Sequence, residues 1–316
     1  MLGLGGTISM TDTVGGDARP MLRVADLLGA GGDDIVVETR DVRVVPGAHL
    51  EYQDVFMLAR EIARAYRSGH AGVVIVQGTD TIEEVAYALT LLVADPVAVV
   101  VTGAMRTASA AGPDGPANVA AAVAVAVDPR CRDLGVLVVL GDVIHSAELV
   151  RKTATTAPDA FQSWPGPLGY LSEGQPHLDV RPIRRRRVIS VPEHPPPSRV
   201  EIVTATFGAG ADSLGRLVSD PPDAVVVAGF GGGHVPPSWV GPLSDLSAHR
   251  PVVLTSRVGT GRALTRTYAF PGSEHDLLGH GLIPGGRHDP IKATVALHVL
   301  LAADSTQNDV QTFFDD

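Results

Sequence analysis

Three groups of side chains stand at points where an apolar run of this sequence gives way to a turn. Thr7 follows two glycines in Gly5-Gly6-Thr7-Ile8. Thr79 and Asp80 are adjacent in Gln77-Gly78-Thr79-Asp80, and Lys152 sits in Arg151-Lys152-Thr153. A threonine hydroxyl is a poor nucleophile at neutral pH and needs a base. A lysine amine can be that base when burial favours its neutral form, and a carboxylate beside it can orient it. Thr, Lys and Asp together make an acyl-transfer set by the same logic as Ser-His-Asp. Glycine N–H groups near Thr7 or Thr79 are suited to an oxyanion. Each group also has a plain structural use. Thr79 can cap a helix, Asp80 can satisfy backbone amides and Lys152 can be a surface charge. Spacing alone leaves both readings open.

The elements that must position these groups are legible in the apolar pattern. Val73–Val76 is a continuous apolar run of strand length, suited to a strand buried on both faces. After the break at residues 77–80, Ile82, Val85, Ala86 and Leu89 fall at helical spacing. Thr81 followed by Glu84 predicts a capping box that starts this helix. Val97–Val101 then closes a βαβ unit. Thr79 and Asp80 therefore lie at the carboxyl end of a buried parallel strand, where open α/β sheets bind ligands. Thr7, Arg106 and the Lys152 region stand at comparable strand exits and are expected to converge with them.

The rest of the chain repeats this grammar. Gln53–Tyr66 reads as a helix, Pro46–Leu50 as a loop and Ile35–Val45 as one or two strands. Asp114-Gly115-Pro116 opens a helix to about Val127, since an acidic residue and a proline favour that end. Gly135–Leu140 is a further buried strand, and Gly166–Tyr170 a turn. Met10–Pro20 reads as a loop that could cover a site, and Val24–Leu28 as a short helix. Arg184–Arg187 and Pro195–Pro197 mark a linker between a domain over 1–182 and a second over 200–316. In the second domain, strands are expected at Val200–Thr204, Ala224–Ala228 and Pro251–Thr255, with helices at Ser213–Val218, Ser238–Ala248 and Pro290–Ala303. The glycines of Gly229–Gly233 admit a tight turn or a ligand contact. Gly3 and Gly5 begin a dinucleotide-type glycine pattern, but Ile8 occupies the third glycine position, which disfavours that reading. Only Met1–Leu4 precede the first motif, so a weakened first strand is expected there.

Composition narrows the class. Aromatics are 4% of 316 residues and aliphatics dominate, as suits helix-covered parallel sheets. A net charge of −10 argues against a nucleic-acid surface. The arginine run reads as a solvated linker edge. Cys131 is the single cysteine, so neither an internal disulfide nor a cysteine-based zinc site is expected. No run reaches the ~18 apolar residues of a membrane span, and no signal peptide is read, so a cytoplasmic protein is expected.

Several of these segments, in order, resemble those of the bacterial-type L-asparaginases, the asparaginase/glutaminase amidohydrolases. Gly5-Gly6-Thr7-Ile8 is similar to the family's GGTI, and Gln77-Gly78-Thr79-Asp80-Thr81 with Glu83-Glu84 to its HGTDTxEE. Thr102–Arg106, Asp114–Asn118, Arg151–Thr153 and Gly166–Tyr170 resemble its TGAMR, DGPAN, KT and GPLGY segments. The second half matches more loosely, through Gly229–Gly233 and Ser256-Arg257-Val258. The resemblance implies a flavodoxin-like N-terminal domain and a smaller Rossmann-like α/β domain. It implies hydrolysis of a side-chain amide without cofactor or metal. It also implies a homo-oligomer, a dimer of dimers in which the neighbour's second domain completes each site. By motif, Thr7 is the nucleophile, and Thr79, Asp80 and Lys152 form a set activating a hydroxyl or water. Asp80 also holds the substrate α-amino group, and Gly47, Ala48, Gln77, Gly78 and Ala104 surround the substrate.

The departures concern recognition. Met10–Leu28 lacks the family's loop tyrosine, and Gly47 or Ala48 stands where a carboxylate-binding serine is usual. Gln77 replaces a histidine, and Gly232 an asparagine. The leading expectation is an amidohydrolase acting on L-asparagine. The alternatives are an enzyme for another amide, an ammonia-generating amidotransferase subunit, and a catalytically weak amino-acid-binding protein. The amidotransferase subunit is disfavoured by the acidity and by the lack of an extra N-terminal domain.

Overall fold

The structure, a computed structural model, describes residues 1–6, 8, 10–12, 18–20, 26, 35–94, 97–183 and 188–315. It divides into two units, Met1–Val188 and Ile189–Asp316. The strands of the first unit are β1 (Leu2–Gly3), β2 (Met10–Asp12), β3 (Ala18–Pro20), β4 (Arg40–Asp41), β5 (Gly72–Val76), β6 (Ala98–Thr102), β7 (Val136–Leu140), β8 (Val143–Ser146), β9 (Val150–Lys152), β10 (Phe161–Ser163), β11 (Gly169–Ser172) and β12 (Gln175–Leu178). Its helices are α1 (Tyr52–Arg67), α2 (Ile82–Leu92) and α3 (Gly115–Val127).

Eight of these strands form one sheet in the order β12-β11-β8-β7-β6-β5-β1-β4. The run from β4 through β1, β5 and β6 to β7 is parallel. Taken in chain order, these five strands are arranged 2-1-3-4-5, the flavodoxin-like order, whose switch point lies between the first and third strands. Here that point is β1 beside β5, and both exits carry the threonine motifs. Beyond β7 the sheet continues as antiparallel β8, β11 and β12. β1 is two residues long, as its short approach predicts.

The parallel strands form because their residues are apolar on both faces. Val73–Val76 and all of β6 and β7 are buried. Valines, leucines and alanines of β5–β7 and α3 make one cluster around Val100, Leu137 and Val125. Burial of each large aliphatic side chain contributes about 1.5–3 kcal/mol. α3 sits close against β5 where Gly72 has no side chain: a methyl placed there would meet the Ala126 carbonyl oxygen at 2.0 Å.

Local signals did not decide everything. The capping box predicted for Thr81 and Glu84 is not formed, because residues 79–81 make a 3-10 turn and Thr81 has no side-chain cap bond. The Ile35–Val45 segment supplies only the two residues of β4 to the sheet. Gly166–Tyr170 runs into strand β11 rather than ending as a turn. Met10–Pro20 reads as a loop in sequence, but its described residues form the antiparallel pair β2 and β3, with Met10 opposite Pro20 and Asp12 opposite Ala18. Residues 13–17 lie outside the described residues, as does the Val24–Leu28 helix apart from Asp26.

The second unit is a parallel sheet, β13 (Val200–Thr204), β14 (Ala224–Gly229), β15 (Val252–Ser256) and β16 (Ile283–Pro284), in that order. Its helices are α4 (Gly215–Ser219), α5 (Val240–Ser247), α6 (Glu274–Gly279), α7 (Pro290–Ala302) and α8 (Gln307–Phe314). Among the described residues, no helix is long and apolar enough to cross a membrane.

Each unit holds a histidine that stays neutral in the fold. His145 of β8 bonds Ser163 Oγ through Nδ1 at 2.8 Å, and burial pushes its pKa down to about 4. His298 of α7 bonds Ser198 Oγ at 2.8 Å and is also held near about 4, chiefly by burial. An unfolded histidine titrates at about 6.5. Between these values the unfolded chain binds more protons, so stability rises with pH there. The contribution is complete above pH ~6.5 and is lost as pH falls toward ~4, roughly 3 kcal/mol per histidine. Urea unfolding at pH 7 and at pH 4.5 checks this. His145→Gln is expected to remove about half of the histidine-linked loss, and an unchanged pH dependence in that variant would refute the assignment.

Candidate active site

The site is built where β1 and β5 part. β5 ends at Val76, and Gln77 N–H still donates to Thr102 O at 3.0 Å, so β5 and β6 leave the sheet together. Leu4 N–H donates to Val76 O at 2.8 Å, which brings the β1 exit alongside. Three glycines then meet without side chains between them. A methyl on Gly6 would lie 2.1 Å from Gly78 Cα, and one on Gly78 would lie 2.9 Å from Gly47 N. Gly6 has φ +87°, a conformation that a side chain resists. The turns carrying Gly6, Gly47 and Gly78 are thus in backbone contact.

On this base Thr79 is 4% exposed, at the first position of the 3-10 turn. Lys152 Nζ donates to Thr79 Oγ1 at 3.0 Å and to Asp80 Oδ1 at 2.7 Å. The Lys152 side chain is 15% exposed, whereas that of Asp80 is 70% exposed. The triad therefore has a sheltered hydroxyl and amine and an open carboxylate. Lys152 does not arrive on a parallel strand exit, as the sequence suggests. It sits in the antiparallel ribbon of β9 and β10, opposite Phe161. Glu83 fixes that ribbon: its Oε2 accepts from Lys152 N at 3.0 Å, fastening β9 to the first turn of α2. Glu83 belongs to a recognisable motif, but only the fold shows what it holds.

Thr7 lies outside the described residues, while its neighbours Gly6 and Ile8 are buried. Of the residues expected around a substrate, Gly47 and Gly78 touch each other, and Gln77 is 0% exposed beneath them. Gln77 Nε2 donates to Gly78 O and Thr81 Oγ1, both at 3.4 Å. Gln77 supports the turn from within. Ala48 is exposed and Ala104 is buried. Arg106 does not join the triad: Nη1 donates to Ala111 O and Gly112 O of its own loop, and Asp114 accepts its backbone N–H.

Asn118 is a structural tie that sequence reasoning placed only within a motif. Buried in the first turn of α3, it donates to Gly103 O at 3.0 Å and Asp114 Oδ2 at 3.1 Å, and accepts from Gly141 N at 2.9 Å. One amide so joins the exits of β6 and β7. A methyl on Gly103 would meet Gln77 O at 2.6 Å, so the β6 exit also presses on the triad's turn.

In the second unit, Gly229–His234 is a tight turn, one of the two readings left open. Phe230 N–H donates to His234 O at 2.7 Å and Gly233 N–H to Phe230 O at 2.7 Å. His234 Nε2 lies 3.0 Å from Glu274 Oε2, whose other oxygen accepts from Thr267 N and Tyr268 N. Among the described residues no group of three or more His, Cys, Asp or Glu is placed to hold a metal.

Comparison with known proteins bears on the family and the fold. The model described as "Asparaginase, N-terminal" matches residues 1–184, and "Glutaminase/Asparaginase C-terminal domain" matches 199–314. A probable L-asparaginase of Deinococcus radiodurans is 34% identical, over 85% of this chain and 83% of its own length. A glutaminase-asparaginase of Pseudomonas aeruginosa is 30% identical, over 83% of this chain and 72% of its own. The crystal structure of a probable cytoplasmic L-asparaginase from Campylobacter jejuni superposes with a TM-score of 0.85 at 30% identity, covering 100% of this chain and 98% of that one.

Proposed function

The chain belongs to the asparaginase family of amidohydrolases, and from that premise we propose that it hydrolyses L-asparagine to L-aspartate and ammonia through a threonine acyl-enzyme. The observation that carries the reading is the single amine of Lys152 within hydrogen-bond reach of both Thr79 and Asp80. In the proposed course, Lys152 passes a proton to Asp80 and takes one from Thr79. Thr79 then accepts the proton of the attacking hydroxyl. Thr7 Oγ attacks the amide carbon, and the C=O π pair moves onto oxygen. Glycine N–H groups of the two turns receive that oxyanion. Collapse expels the nitrogen, which takes the proton and leaves as ammonia. Water, activated by the same relay, attacks the ester carbon, restores the Thr7 hydroxyl and releases the acid.

The open carboxylate of Asp80 suits a substrate ammonium group. With glycine and alanine at 47 and 48, backbone groups take the place of a serine hydroxyl at the substrate carboxylate. The glutaminase-asparaginase relatives make L-glutamine the obvious second substrate, since one methylene changes discrimination by only ~1–3 kcal/mol. The reading includes a cytoplasmic homo-oligomer, a dimer of dimers. Association is supported by the exposed apolar side chains of Phe207, Tyr268 and Phe270 in the second unit.

The test is ammonia release from L-asparagine, L-glutamine and D-asparagine by wild type, Thr7→Ala and Thr79→Ala. Turnover of L-asparagine lost in both variants is the expected result. Unchanged release by Thr79→Ala would overturn the assignment. Binding of L-asparagine without turnover by wild type would favour an amino-acid-binding protein.

A further inference from the structure

A cleft whose lining includes Thr81 but none of Thr79, Asp80 and Lys152 opens between α1 and α2. Its volume is about 180 Å3, comparable with the roughly 150 Å3 that takes up one benzene-sized molecule in an apolar protein cavity. Val55, Val85 and Ala88 give it an aliphatic wall, and all three are buried. Tyr52 and Glu84 supply its polar side, with Glu51 at the solvent edge. Burial, and then Glu84 nearby, hold the Tyr52 phenol well above its ordinary pKa. Tyr52 therefore stays a neutral phenol, and the acidic side chains lining the cleft are Glu51 and Glu84.

This lining has a definite complement. An apolar wall of that size takes a branched chain of about four carbons. The carboxylates favour a cation at its end, and a primary ammonium satisfies several acceptors at once. We propose that this cleft is a binding site for short aliphatic primary amines, distinct from the triad and adjoining it.

The cleft shares Thr81 with the triad's turn. Thr81 Oγ1 donates to Gly47 O at 3.3 Å and accepts from Gln77 Nε2 at 3.4 Å. Gly47 and Gln77 are the supports of Gly78. A ligand against Thr81 thus touches the layer that sets the Thr79 hydroxyl, one residue from Asp80.

Isobutylammonium is the probe, isobutanol its uncharged counterpart, and calorimetric titration of the full chain the measurement. Wild type is expected to bind the amine at least tenfold more tightly than the alcohol. Ala88→Met fills the cleft and is expected to weaken both at least tenfold. Glu84→Gln is expected to bring the amine down to the level of the alcohol while leaving the alcohol unaffected. Asp80→Asn is expected to bind the amine as wild type does. Thermal melting of each variant confirms that it is folded. No amine binding by wild type, equal binding of amine and alcohol, or undiminished binding to folded Ala88→Met would overturn the proposal. Loss of amine binding in Asp80→Asn would place the amine at the triad and overturn it too. Since these readouts are of binding, they stand whether or not the protein releases ammonia from any amide.

Discussion

Replacing Lys152 with methionine is expected to lower kcat for amide hydrolysis roughly a thousandfold, the scale of a positioned acid–base group, while leaving the protein folded. The two effects separate because of where the charges lie. Methionine keeps most of the lysine stem, so the wall around Thr79 stays filled. The abandoned partner, Asp80, has a side chain that is 70% exposed and is solvated by water. The ion pair therefore contributes at most about 1 kcal/mol to stability. The Lys152 backbone bond to Glu83 survives the change, since it uses the main chain. KM should move less than kcat, because Lys152 itself is assigned no substrate contact, although its partner Asp80 is assigned one. Lys152→Arg supplies the sharper comparison. A guanidinium reaches the same oxygens but cannot give up its proton. Arginine should leave kcat depressed if proton movement matters, and should restore most of it if only positive charge matters. Steady-state kinetics with urea unfolding of the same preparations decides this. A methionine variant retaining more than a tenth of wild-type kcat would remove Lys152 from the mechanism.

Why Lys152 was legible as a chemical group but not as a placed one is instructive. The parallel strands are visible in sequence because burial on both faces makes Val73–Val76 and Gly135–Leu140 nearly unbroken apolar runs. The helices are visible because their periodicity survives short local reading. β8 to β12 carry neither signal. They are three or four residues long, shorter than the mean strand of about 5–6, mix polar with apolar side chains, and pair antiparallel through turns of varied length. Lys152 lies in that region, so its chemistry is legible by residue type while its position is set only by the ribbon. The Thr81–Glu84 pattern failed for a related reason. Its hydroxyl spends its proton on Gly47 O, a partner 34 residues away that local spacing does not encode. The glycine stack is the third case. Gly6, Gly47 and Gly78 read as three separate flexible turns, and only the order 2-1-3 of the parallel strands stacks them.

That stack leads to a large expected stability effect, from Gly6→Ala. Two costs combine. At φ +87° a side chain is strained, by about 1–2 kcal/mol. The added methyl would also stand 2.1 Å from both Cα and N of Gly78, atoms of a backbone that cannot swing aside. To relieve the overlap the β1 and β5 exits must separate, which breaks the contact that sets the two threonine turns. Gly69→Ala isolates the first cost. Gly69 has φ +84° but nothing within 4 Å of the added methyl. It is expected to lose only the conformational strain, about 1–2 kcal/mol, with activity intact. Gly6→Ala should lose at least about 3 kcal/mol, in the range reserved for overpacked or strained backbone sites, and most of its turnover. Urea midpoints and ammonia release for the two variants side by side provide the check. Equal destabilisation would mean that the turns can part without cost. The active geometry would then rest on the Lys152 bridge rather than on the glycine contact.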